Sequence, residues 1–129
     1  MDFEQALRAE LVTITNLQNK VFPLNAPEGT STPFLIYQKV NMAIIKTMDG
    51  TSYARNALYE IDLIAKSYSE LQSLMVSVKN KLISFQGRTI GTNGSYIQNV
   101  TIENIVELYE PQPLFYRINM ETRFYFEGE

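Results

Sequence analysis

The sequence predicts an α+β fold in which an antiparallel sheet of about four strands carries two helices packed on one face, in the order α-β-β-α-β-β. Residues 57–65 and 114–126 alternate apolar and polar side chains, which is the pattern of strands with one buried face. Residues 3–16 and 67–85 repeat apolar side chains at helical spacing instead. The connections between these elements are short, which favours antiparallel neighbours in the sheet.

The first helix is predicted over residues 3 to about 16. Asp2 and Gln5 have the spacing of a capping box, in which each side chain bonds the other residue's backbone N–H. Apolar residues then recur on one face, namely Phe3, Leu7, Leu11 and Ile14. The β-branched run from Val12 to Thr15 makes the last turn the weakest part of this helix.

Two strands are predicted next. Residues 23–33, PLNAPEGTSTP, hold three of the five prolines and form a loop, and a strand of about seven residues starts after Pro33. Residues 41–53, NMAIIKTMDGTSY, are less regular: Asp49-Gly50 favours a tight turn, yet the segment is too apolar for a solvated loop. The second strand then buries one face, formed by Ala57, Tyr59, Ile61, Leu63 and Ala65.

The second helix is predicted with the clearest signals in the chain. Ser67 and Glu70 form its capping box, and Gly87 supplies the stop. Its apolar stripe consists of Leu71, Leu74, Met75, Val78, Leu82 and Phe85.

Two long strands, at about 96–109 and 114–126, are predicted to close the chain, joined by the proline-containing connection EPQP. In the first strand Val100, Ile102, Val106 and Leu108 are predicted to share a face, with Asn104 interrupting the pattern. In the second strand the shared apolar face is formed by Tyr116, Ile118, Met120, Phe124 and Phe126.

Composition excludes several classes of function. The 129 residues suit a single domain over 1–129, and a net charge of −3 with a pI near 5.0 disfavours binding to a phosphate backbone. The chain has no cysteine and no histidine, which removes disulfides, thiolate catalysis and most zinc sites. No apolar run approaches the length of a membrane span, and the acidic start lacks the basic character of a signal peptide.

No motif predicts catalysis. Glu60 and Asp62 share a strand face, as paired catalytic carboxylates do, but they also fit the polar side of an amphipathic strand. The glycine-rich stretch GRTIGTNG lacks the lysine of a phosphate-binding loop and leads into a strand instead of a helix. We therefore expect no enzyme activity, no cofactor and no metal.

The sequence does predict more apolar surface than one core needs. Apolar residues stand beside charged ones on the outward faces of the strands, and more of them lie in segment 41–53. Apolar patches of this kind usually mark a partner surface. The candidate subunit-interface residues are Met42, Ile44, Ile45, Met48, Leu58, Ile64, Phe115 and Tyr125.

The order of motifs resembles the tail terminator, or tail completion, proteins of long-tailed bacteriophages, some of which are described as tail-to-head joining proteins. The resemblance covers most of the chain and is carried by APEGTSTPFLIYQ, ALYEIDLIAKSYSELQSLMVSVKNKL and ELYEPQPLFYRINMETRFYF. Its most telling pieces are Pro33 before a strand, the strand-to-helix passage from Tyr59 to Leu71, and Leu108-Tyr109-Glu110-Pro111 followed by Tyr116-Arg117.

This resemblance implies a small α+β subunit of a virion or prophage tail, assembled in the bacterial cytoplasm, with no active site and no cofactor. It implies a homo-oligomeric ring, commonly a hexamer, that caps the tail tube and meets the head connector, with DNA passing through the ring. Two alternatives stay open at this point: a head-completion or connector subunit of similar fold, and a small module that binds an apolar ligand between sheet and helices.

Overall fold

The computed structural model describes residues 2–46, 53–110 and 115–127. Two helices and six strands follow one another along the chain: α1 (Phe3–Leu11), β1 (Val21–Pro23), β2 (Phe34–Lys46), β3 (Tyr53–Ala65), α2 (Tyr68–Ile83), β4 (Arg88–Thr89), β5 (Tyr96–Glu110) and β6 (Phe115–Glu127).

All six strands form one mixed sheet in the order β1-β2-β3-β6-β5-β4. β1 runs parallel to β2, and every other neighbouring pair is antiparallel. The predicted four-stranded antiparallel sheet with the order α-β-β-α-β-β is therefore wrong. The prediction missed β1 and β4 because strands of three and two residues are too short to show an alternating pattern.

Segment 41–46 is the second correction. It was predicted as an irregular segment, but it continues β2 and pairs with residues 53–58 of β3. The ladder shifts register between Lys39 and Asn41, so Val40 forms a β-bulge that breaks the alternation by which a strand is recognised in sequence.

The first helix is shorter than predicted. Asp2 caps it with both halves of the capping box, but α1 ends at Leu11, with Val12 as its C-cap. The β-branched residues that follow are poor helix formers, and Asn16 has a positive φ of 75°. Ile14 is nevertheless buried, because the turn after the helix folds back onto the core.

The core lies between the two helices and one face of the sheet, which we call the helix face. The predicted apolar faces of β3 and β6 and the stripe of α2 are confirmed, since their residues are buried or packed against the core. α1 joins them through Phe3, whose ring stacks on Phe126 with centroids 4.2 Å apart. The opposite face of the sheet is called the outer face.

Bulges in β5 determine which side chains reach the core. The ladder with β6 shifts register between Ile97 and Asn99 and again between Ile102 and Asn104. A shift of one residue moves every later side chain to the other face. Ile105 therefore lies on the helix face, whereas Val106 and Leu108, predicted to share a face with Val100, lie on the outer face and are exposed.

Candidate subunit interface

One long edge of the sheet is formed by β2. β1 pairs only with residues 35–37, so residues 38–46 have no neighbouring strand on that side within the part of the chain that the structure describes. Val40, Met42 and Ile44 are exposed along this length, and Ile44 is 56% accessible to solvent. An unpaired edge with apolar side chains is a template for another strand.

A cleft of about 310 Å³ lies on the helix face beside this edge, at the N-terminus of α1. Its lining combines apolar side chains with charges of both signs: Asp2, Glu4, Lys39, Met42, Ile44 and Arg55. Met42 and Ile44 thus extend the helix face beyond the area that α1 covers, because Lys39 and Met42 pair with the buried residues Tyr59 and Ala57.

The other long edge of the sheet is formed by β5. β4 pairs only with Tyr96 and Ile97, so residues 98–110 have β6 on one side and no neighbouring strand on the other among the described residues. Exposed apolar residues concentrate in the second half of this length, and Leu108 is 48% accessible. They are Ile105, Val106, Leu108 and Tyr109.

Glu107 fixes the second half of β5 to α2. Its carboxylate accepts hydrogen bonds from the Tyr68 hydroxyl at 3.1 Å and from the Gln72 amide at 2.8 Å. The bond to Glu107 raises the pKa of the Tyr68 hydroxyl above its ordinary value. Tyr116 packs against Tyr109 and Tyr68 with ring centroids 4.9 Å and 6.1 Å away, so this edge is held in place by contacts within the subunit.

Polar bonds cover the middle of the outer face. Asp62 accepts a hydrogen bond from Arg117 at 2.9 Å and one from Asn119 at 2.6 Å. Arg123 donates to Asn56 and to Glu103. The candidates Leu58 and Tyr125 lie half-buried among these groups.

Glu60 and Asp62 are the two carboxylates whose spacing in the sequence is that of a catalytic pair. Glu60 lies opposite Glu121 in the register of β3 and β6, while Asp62 is occupied by Arg117 and Asn119. The structure therefore places Glu60 and Asp62 on the polar outer face of the strand. Within the described residues, no group of three or more acidic side chains is placed to hold a metal ion.

Ile64 and Phe115 lie at the other end of the outer face, beside the loop of residues 25–30. They line a cleft of about 390 Å³ together with Phe34, Ile36 and Arg117. Ile64 is buried within its own subunit and Phe115 is half-buried.

The eight predicted interface residues therefore do not form one patch. Met42 and Ile44 lie together at the β2 edge, and the four outer-face candidates lie apart from them. Met48 and the side chain of Ile45 fall outside the described residues. The sequence prediction missed the exposed residues of β5, because it continued the alternation past Asn104 and so assigned Val106 and Leu108 to the apolar face. Asn104, out of place in that pattern, was the signal that marked the bulge.

Among the described helices, neither is both long enough and apolar enough to cross a bilayer. The sequence matches the model of the tail completion protein gp17 family over residues 5–127. The chain belongs to this family. The resemblance drawn from the sequence is thereby confirmed, and this tail completion protein is a structural component of the tail of a phage-like virion.

A solved structure has the same fold. A chain from the virion of a native gene transfer agent particle superposes with a TM-score of 0.64 at 15% sequence identity, covering 97% of the tail completion protein and 91% of that chain. Among curated proteins, no sequence match is found.

Proposed function

We propose that this tail completion protein forms a closed ring, a hexamer in the manner of tail terminators, that caps the tail tube and joins it to the head connector. The observation that carries the proposal is that the exposed apolar residues of the sheet concentrate in two different regions. One region lies along β2 and the other along β5, which form the two opposite long edges of the sheet.

Two different patches are what a ring requires. In a cyclic assembly each subunit uses one surface toward the neighbour before it and another surface toward the neighbour after it. A two-fold dimer would instead need a single patch that complements itself. Met42 and Ile44 belong to the first region, whereas Leu58, Phe115 and Tyr125 on the outer face are available to the tube or the connector.

The negative net charge of the chain agrees with a channel through which DNA moves without binding. The chain carries 14 acidic and 11 basic residues, so a ring of several subunits is acidic as a whole. Like charges repel a phosphate backbone, which favours passage over retention.

Three measurements test the proposal. Light scattering coupled to size-exclusion chromatography should show a species of several subunits, alone or after addition of tail tubes, and electron micrographs should show rings and tubes capped at one end. Tubes capped by the protein should then join to heads that carry their connector, whereas uncapped tubes should not. Persistent monomers, both alone and beside tubes, contradict the ring, and a cap found only on heads would instead assign the protein to head completion.

A further inference from the structure

The two unpaired edges each have a regular stretch of similar length after their last bulge. On β2 the regular ladder after the bulge at Val40 runs over residues 41–46, and on β5 the ladder after the second bulge runs over residues 104–110. Both are near the usual length of a strand in a sheet. The exposed residues Met42 and Ile44 fall within the first length, and Ile105, Val106, Leu108 and Tyr109 fall within the second.

Strand direction decides how two copies can meet. β2 is antiparallel to β3, β3 to β6, and β6 to β5, so β2 and β5 run in opposite directions. Subunits related by rotation about an axis along the strands keep their strand directions. The β5 edge of one subunit and the β2 edge of the next would therefore form an antiparallel pair, the geometry that already joins most strands of this sheet.

Charge favours contact between unlike edges. Residues 38–46 include lysines and no acidic residue, while residues 98–110 include glutamates and no basic residue. Joining two β5 edges would place acidic residues against each other, and joining two β2 edges would do the same with lysines. Like charges across an interface cost free energy, whereas opposite charges select the partner.

The two stretches, residues 41–46 of β2 and residues 104–110 of β5, lie at different positions along the strand direction. Met42 is level with Val100 across β3 and β6, whereas Val106 is level with Ile36, nearer the opposite end of the strands. Pairing residues 41–46 with residues 104–110 in a closed ring therefore requires the strands to be inclined to the ring axis, so that neighbouring sheets are staggered along the strand direction. Closing a sheet into a barrel requires strands that tilt and stagger in this way.

Resting on the ring proposed above, we infer that residues 104–110 of each subunit pair antiparallel with residues 41–46 of a second copy, so that a backbone ladder closes the ring. On the helix face this pairing brings Ile105 and Tyr109 beside Met42 and Ile44 of the neighbouring copy. Each open edge is thus paired with another copy of the same protein.

Charge substitutions at the two edges test this pairing. Ile105→Lys and Met42→Glu place opposite charges on the helix face of the β5 and β2 edges. Each variant alone should lose the ring, with assembly requiring at least about tenfold more protein. An equimolar mixture should form alternating rings of the wild-type mass, because each ring then contains only unlike-charged and unmodified contacts.

The matched control is Leu24→Lys, which changes an apolar residue that is 69% exposed in the loop after β1 and should leave assembly unchanged. Assembly itself raises a thermal midpoint, so folding is compared below the concentration at which the wild type assembles, where equal midpoints for wild type and all three variants verify that the subunits are folded. Rings formed by Ile105→Lys or Met42→Glu alone, or a mixture that assembles no better than its components, overturn the edge pairing while the wild-type ring stands. A wild type that forms no ring contradicts the proposed function itself.

Cross-linking provides a second measurement that does not depend on repulsion. The chain has no native cysteine, so cysteines can be introduced at position 42 or 44 together with position 105 or 109. A disulfide forms only where the Cα atoms approach within about 7 Å. Oxidation of at least one of these four double variants should give a ladder of covalent oligomers, while each single-cysteine variant should not. Failure of all four pairs within a ring of wild-type mass overturns the proposed contact.

Discussion

Glu10 in α1 and Arg88 in β4 are 78 positions apart in the chain and form a two-point ion pair, with Nη1–Oε2 and Nη2–Oε1 distances of 3.3 Å and 3.0 Å. The same carboxylate contacts Lys81 of α2 at 3.3 Å and accepts the backbone N–H of Gly91 at 2.8 Å. One side chain thus joins the first helix, the second helix and the turn before β5. This contact holds both helices in place relative to the β5 side of the sheet.

Replacing Glu10 by Gln should destabilise the subunit by about 1.5 kcal/mol, because hydrogen bonds to charged groups contribute more than neutral ones and the change removes the charge while keeping the shape. Urea unfolding followed by circular dichroism measures the difference. Glu28→Gln, in the exposed loop, is the matched control and should shift stability by less than about 0.5 kcal/mol. Equal losses for both variants would show that the Glu10 contact contributes nothing specific.

The Glu10 contact should also make stability depend on pH. Hydrogen bonding from Arg88 lowers the pKa of this carboxyl from 4.5 to about 2, although burial acts in the opposite direction. Because the folded-state pKa lies below the unfolded one, the contribution is fully present above pH 4.5 and is lost as the pH falls toward about 2. The difference in unfolding free energy between wild type and Glu10→Gln should therefore shrink across that interval. A constant difference would contradict the assignment.

Phe3 should be among the most costly residues to truncate. Its ring lies 4.2 Å from Phe126, 5.1 Å from Phe124 and 5.5 Å from Tyr59 between centroids, and it anchors α1 to the sheet. Phe3→Ala should lower the unfolding free energy by about 3–5 kcal/mol, through lost burial and the cavity that remains. Leu24→Ala removes an exposed apolar side chain and should cost less than about 0.5 kcal/mol. Similar urea midpoints for the two variants would refute this role of Phe3.

Thr122 offers a substitution expected to stabilise. Its side chain is fully buried on the helix face, and its hydroxyl has no hydrogen-bond partner within the described residues. Thr122→Val replaces the hydroxyl by a methyl group of similar size and removes that desolvation cost, so stability should rise by about 1 kcal/mol. Thr101→Val, on the exposed outer face of β5, is the control and should change little. Thermal unfolding measures both, and a lower midpoint for Thr122→Val would indicate a partner for this hydroxyl.

Local pattern predicted the elements whose alternation is unbroken. The buried faces of β3 and β6 and the stripe of α2 could be assigned from sequence, because burial against a single surface imposes a period of two or of 3.6 residues on the side chains. The capping box at Asp2 could be recognised because its bonds form within one helical turn. The family resemblance was visible for the same reason, since it rests on these segments and their order.

Tertiary structure alone decided the sheet order, the parallel strand β1 and the bulges at Val40 and before Asn104. A bulge is defined by how a strand pairs with its neighbour, so the sequence of β5 alone does not show after which residue its side chains change from one face of the sheet to the other. That exchange exposes Val106 and Leu108, and the shortness of β1 and β4 leaves the edges of β2 and β5 open. The sequence by itself determined the buried faces of α2, β3 and β6, because an unbroken period of two or of 3.6 residues identifies them. The faces of β5 and the strand edges that stay exposed depend on contacts between strands distant in the chain.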